Sequence, residues 1–186
     1  MTKFQTKKHG YNDDELKSAL QKSIRRGLEE SAMYYALELA YEGKSSFGWL
    51  RNRLKIIAYE DIGLANPEVV LQVSKAVEDM DYFYNNKNDE WILALSHIIL
   101  LLCRSKKSRI NDHFVINMDF IWNSTAFDIK ETFKIPDYAL DKHTTKGCQM
   151  GRGNEHFIEE GDKLENEEEE LNDYKERYHK ILKNKK

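Results

Sequence analysis

Apolar residues recur along this chain at intervals of three and four, and glycine, proline and asparagine interrupt them at points that cut it into helix-sized pieces. Leu16, Ala19, Leu20 and Ile24 share one face behind Asp13 and Asp14, and Arg25-Arg26-Gly27 ends that run with cations and a left-handed terminator. A second run opens near Leu28 and repeats at Ala32, Ala36, Leu39 and Ala40 before Gly43, with small alanines that let a neighbouring helix approach closely. A third, capped by Ser45 or Ser46, carries Phe47, Leu50, Leu54 and Ile57 and ends at Gly63. Asn66-Pro67 pairs a cap with a proline at the first helical position, predicting a fourth helix through Val69, Val70, Val73, Ala76, Val77 and Met80. The Asn-rich stretch 85–89 separates it from Trp91–Cys103, a run of 13 residues with scarcely any polar face. Spanning a bilayer takes about 20 residues, so this run predicts a central core helix and no membrane crossing.

Beyond the basic turn Arg104–Arg109 the period blurs. Phe114, Val115, Ile116, Met118, Phe120, Ile121 and Trp122 fit helix or strand, and helix is the reading adopted. From Asn154 to the end, Phe157, Leu164, Leu171, Tyr174, Tyr178 and Leu182 lie sparsely in Glu-rich sequence, predicting an amphipathic C-terminal helix. The organisation expected is a lead-in over 1–12, a helical domain over 13–161 and a charged helix or tail over 162–186. The fold class is all-α: a compact domain of short packed helix pairs.

Composition narrows this further. With 2 Pro and 9 Gly in 186 residues, a turn-dense all-β architecture is excluded, and 10 Tyr, 8 Phe and 3 Trp supply the apolar bulk that a disordered chain lacks. Two cysteines make neither a disulfide framework nor a four-thiolate zinc site, and no apolar leader opens the sequence, so a cytoplasmic setting is expected. Residues 1–158 balance 22 acids against 22 bases, which places the net charge of −3 in the last segment. A nucleic-acid surface therefore has to be a local patch.

Lys22-Ser-Ile-Arg-Arg-Gly27, Ala32-Met-Tyr-Tyr-Ala-Leu37 with Glu42-Gly43, Trp49-Leu-Arg-Asn-Arg-Leu54 and Ala58-Tyr-Glu-Asp-Ile-Gly-Leu-Ala-Asn-Pro67 follow one another over residues 18–110. This order resembles the C-terminal helical region of the RarA/MgsA replication-associated recombination ATPases, relatives of clamp loaders. Its most specific block is Glu60–Pro67. The resemblance implies a clamp-loader-collar-like fold and self-association, tetrameric in the bacterial proteins, with an AAA+ ATPase motor ahead of this region and DNA as a possible partner. No G-x-x-x-x-G-K-[ST] loop occurs, so the resemblance does not extend to ATP hydrolysis, and the chain is read as either a fragment or a free-standing relative. The block 136–161 departs from the family's usual tail.

Within the resemblance, Glu60, Asp61, Gly63 and Pro67 are expected to be structural. Two carboxylates near the negative end of a helix need compensation, from Arg53 two turns earlier or from a neighbouring helix. Arg25, Arg26, Arg51, Arg53, Lys55, Arg104, Lys106, Lys107 and Arg109, interleaved with tyrosines and Trp49, are the candidate DNA contacts, with Arg152 among Gly147, Gly151 and Gly153 as a further anion contact. The competing reading is a solvated face balanced by nearby acids. The subunit contact is expected on the small face of Ala32, Ala36 and Ala40 or on the apolar surface after Arg109. No catalytic residue, cofactor or metal ligand is assigned. The alternative is a metal-dependent nucleotide- or nucleic-acid-handling enzyme built on Asp141, His143, Arg152 and His156.

Overall fold

A computed structural model describes residues 9–126, 128–168 and 172–184, and every regular element among them is helical. The contacts divide the chain between Asn123 and Ser124, inside the stretch that the pattern alone treats as one domain.

The first unit holds α1 (Asp13–Arg26), α2 (Glu29–Tyr41), α3 (Lys44–Ile57), α4 (Pro67–Asn85), α5 (Trp91–Arg104) and α6 (Ile110–Asn123). The pattern places the first five within a residue or two, except for the end of α3. Gly27, at φ 70°, closes α1: its own N–H and that of Leu28 return to the carbonyls of Ile24 and Ser23. α3 starts behind Gly43 instead of a serine cap, because Ser46 Oγ is engaged with Glu42. Beyond Ile57 the backbone continues as a π turn, Ala58–Ile62, and a 3-10 turn, Gly63–Ala65, so the expected end at Gly63 is a widening of the helix and not a simple stop.

Leu20, Ile24, Leu39, Leu50, Leu54, Ile57, Val73, Val77, Leu95 and Ile98 are fully buried together, and Phe47 stacks on Tyr84 with centroids 3.6 Å apart while Trp91 meets both edge-on. α5 touches α1, α2 and α4, as expected of a central helix, yet its outer side is open: Leu93 is 68% exposed and His97 is exposed. Ala32, Ala36 and Ala40 lie in this core, so the small face packs α2 within the unit and is closed to a second subunit.

The second unit has α7 (Ile129–Thr132), a 3-10 turn (Asp137–Ala139), α8 (Thr145–Gln149), α9 (Asn154–His156) running into a π turn (Phe157–Gly161), and α10 (Asp173–Asn184). The single amphipathic helix expected from Asn154 onward is thus two pieces. Adjacent carboxylates over 165–168 repel at helical spacing, which disfavours a helix between them. Polar ties hold this unit. Arg152 forks onto Asp137 (2.6 and 2.7 Å) and also donates to the carbonyls of Asp137 and Leu140, and Asn154 Nδ2 donates to the Leu182 carbonyl (2.8 Å).

Gly147 is the tightest position: a Cβ there would collide with the Asp141 carbonyl and lie 2.7 Å from that of Leu140. Both obstacles are backbone and cannot rotate away. Gly147→Ala is expected to destabilise this unit by about 2 kcal/mol or more. Limited proteolysis would read it as early cleavage between 136 and 161, and wild-type resistance in the variant would refute the assignment.

Candidate functional site

Glu60 and Asp61 sit in the π turn at the carboxyl end of α3, where unpaired carbonyls already carry partial negative charge. Asp61 is 1% exposed. A carboxylate so placed persists only if cations and donors surround it. Arg25 of α1 supplies the closest ones: Nε donates to Asp61 Oδ1 at 2.8 Å and Nη2 to Glu60 Oε1 at 2.7 Å. Gln21 Nε2 donates to Asp61 Oδ2 at 3.0 Å. Arg53 donates to Gln21 and reaches Glu60 at 3.5 Å, and Arg109 lies 3.6 Å from each carboxylate. The compensation that the sequence assigns to Arg53 or to a neighbouring helix therefore comes first from α1.

This network also fixes the chain that leads into α6. Ser108 N–H donates to the Asp61 carbonyl at 3.0 Å, Asn111 Nδ2 donates to the Tyr59 carbonyl at 3.4 Å, and Arg109 pairs with Asp112. Gly63, at φ 48°, lets the backbone turn where the Ser108 carbonyl passes. α6 is consequently anchored at its first turn, to the π and 3-10 turns.

None of its residues is buried. Ile110, Phe114, Val115, Ile116, Phe120 and Trp122 are 57–79% exposed. A helix apolar on nearly every side ordinarily belongs inside a core, and large contiguous apolar patches on a surface mark interaction sites.

The candidate DNA contacts are mostly engaged within the chain. Besides Arg25, Arg53 and Arg109, Arg51 pairs with Asp81 (2.8 Å), Lys55 lies 3.7 Å from Glu78, and Arg26 donates to the Lys22 carbonyl. Arg104 grips Glu29 with two hydrogen bonds (2.7 and 3.0 Å), which hold that carboxyl below its ordinary pKa. Lys107 Nζ donates to the carbonyls of Cys103 (2.7 Å) and Ser105 (3.1 Å). Lys106 is exposed and, among the described residues, has no hydrogen-bond or ion-pair partner. Arg152 is spent on Asp137, so the glycines around it frame a structural tie.

In the same unit His143 Nδ1 lies 3.0 Å from Asp141 Oδ2, and His156 Nδ1 is buried without a partner. Among the described residues no group of three or more His, Cys, Asp or Glu side chains could hold a metal ion, which leaves the enzyme alternative without support. Hydrogen bonds from Arg152 and His143 hold the carboxyls of Asp137 and Asp141 below their ordinary pKa. Depressed folded values mean stabilisation that is present above the unfolded carboxylate pKa of about 3.9 and lost as pH falls through the folded values. The Gly147 amide resonance should therefore lose its native position below about pH 4; a spectrum unchanged to about pH 2 would contradict this.

The model of the MgsA AAA+ ATPase C-terminal family matches residues 28–184. The chain belongs to this family. It is also similar to the replication-associated recombination protein A of Bacillus subtilis (strain 168), with 29% identity over 150 residues. That alignment covers 81% of the chain but 33% of the relative, so the chain spans about a third of the relative's length.

The family match contains the Glu60–Pro67 block, α6 and the second unit, whereas Gln21 and Arg25 precede it. Gln21, Asp112 and Asp137 are site residues that the sequence reading missed. Gln21 carried one usable signal: a polar residue next to Leu20 on the face that α1 buries. Among the described residues of this family member, no helix is long and apolar enough to cross a membrane.

Proposed function

We propose that the chain is a non-catalytic assembly and docking module of a RarA/MgsA-like AAA+ ATPase system working in DNA replication and recombinational repair, and that copies of it associate through α6. The exposed apolar girth of α6 carries this reading. Six large apolar side chains, each more than half exposed, offer on the order of 700 Å², close to the roughly 800 Å² that each partner contributes to a stable interface. The hydrogen bonds that tie α6 to the π turn lie at its first turn, and the six exposed apolar side chains run along its length. A second copy is the occupant favoured by the chain's resemblance to the RarA/MgsA ATPases, which implies self-association, tetrameric in the bacterial proteins. ATP hydrolysis belongs, in this reading, to an AAA+ motor that this module joins or accompanies, and DNA is the polyanion it meets there.

The test is sedimentation equilibrium of the full chain. A concentration-dependent species larger than the monomer, with the tetramer as the expected limit, supports the assembly role. Monomer alone at hundreds of micromolar would overturn it.

A further inference from the structure

The α5–α6 loop that anchors α6 also forms one wall of an open groove, with Asn66 ahead of α4 and His97, Leu100, Arg104 and Lys106 along α5 and the loop. No carboxylate lines it, in a chain with more acids than bases. Glu29 is taken by Arg104 through Nε and Nη2, which leaves Nη1 uncommitted on a side chain that stays 68% exposed. The carboxyl end of α5 would repel an anion, but Lys107 sits on the Cys103 carbonyl of its last turn and on that of Ser105 just beyond it, and offsets that charge locally. Lys106 therefore faces the groove as a cation with no partner among the described residues to neutralise it. Asn66 uses its Oδ1 on the Val69 N–H, so its amide nitrogen also remains to donate.

We infer that this groove binds the phosphodiester backbone of single-stranded nucleic acid, with Lys106 and Arg104 on neighbouring phosphates, Asn66 and His97 as flanking donors, and Leu100 beneath a sugar or base. The inference rests on the docking half of the function proposed above. A mixture of permanent cations and neutral donors is what phosphate contacts use, and an apolar floor is of use to a guest with flat, weakly polar parts. Concavity favours a lone strand, since the phosphates of a duplex lie on a convex cylinder that meets a slot poorly.

The probe is a labelled single-stranded 20-mer titrated with the full chain, followed by fluorescence anisotropy at rising salt, with a duplex of equal length and polyglutamate as competitor in parallel. Lys106→Glu should weaken binding about tenfold at low salt and flatten the log–log salt slope by about one, with Arg104→Gln acting in the same direction. Lys75→Glu makes the same change in net charge on exposed α4 and should leave binding near wild type. The thermal transition by circular dichroism should be unchanged in Lys106→Glu, since that side chain is exposed and lies outside the core. Equal losses in Lys106→Glu and Lys75→Glu, stronger binding of the duplex, or displacement by polyglutamate as effective as by oligonucleotide would each overturn the site. Wild-type binding that survives both groove substitutions would overturn the groove while leaving DNA docking standing. No binding of either nucleic acid by the wild type would remove DNA docking as well, and sedimentation of the same samples would still judge assembly separately.

Discussion

Asp61→Asn should cost about 3 kcal/mol of folding stability, read by urea denaturation of the first unit through its tryptophans. The substitution keeps the shape of the side chain but removes the charge that Arg25 approaches at 2.8 Å and Arg109 at 3.6 Å. Removing one partner of a buried pair strands the other, and such losses run to about 3–5 kcal/mol. The lower end applies because Arg25 keeps 28% exposure and retains Glu60. Adding Arg25→Met removes the stranded guanidinium, so the double variant should recover part of the loss, a coupling that a double-mutant cycle isolates. A loss under about 0.5 kcal/mol would show that the network is incidental. Because Ser108 and Arg109 are tied to the same turn, the single variant should also loosen α6 and weaken assembly beyond what its stability loss explains.

The second large effect is on association alone. Phe114→Asp combined with Trp122→Asp should leave the urea midpoint where it was at concentrations low enough for the wild type to be monomeric, and convert the assembled species to monomer at tens of micromolar. Phe114 and Trp122 are 66% and 79% exposed and lie outside the buried core, so their loss removes no core side chain. Across an interface they would act as aromatic anchors, each worth about 2 kcal/mol or more, and placing two carboxylates there adds a desolvation cost. The pair should weaken association by at least about 100-fold. Sedimentation equal to wild type would remove α6 from the interface, whatever the wild-type stoichiometry.

Family membership bears on these experiments without replacing them. The match reaches across both units, and the aligned relative is about three times as long as the aligned share.

α1 to α5 were legible in the letters because helical periodicity is local: Leu16, Leu20 and Ile24, or Val69, Val73 and Val77, announce a buried stripe within a few turns, and Gly27 and Asn66-Pro67 announce where it stops. Glu60 and Asp61 were legible as a charge problem for the same reason, since their position at a helix end is a local fact. The solution was not, because Arg25 and Gln21 lie 36 and 40 residues from Asp61 and only packing of α1 across the end of α3 brings them together.

Two further outcomes belonged to the tertiary structure. Ala32, Ala36 and Ala40 and the apolar run of α6 read alike as contact surfaces, but which of them closes inside the molecule depends on which neighbours arrive, and hydrophobicity has no direction. Cations show the same limit. Arg104 and Lys106 are two positions apart with equal charge, yet one meets Glu29 and the other meets no acid among the described residues, because pairing depends on distances through space that sequence spacing does not carry.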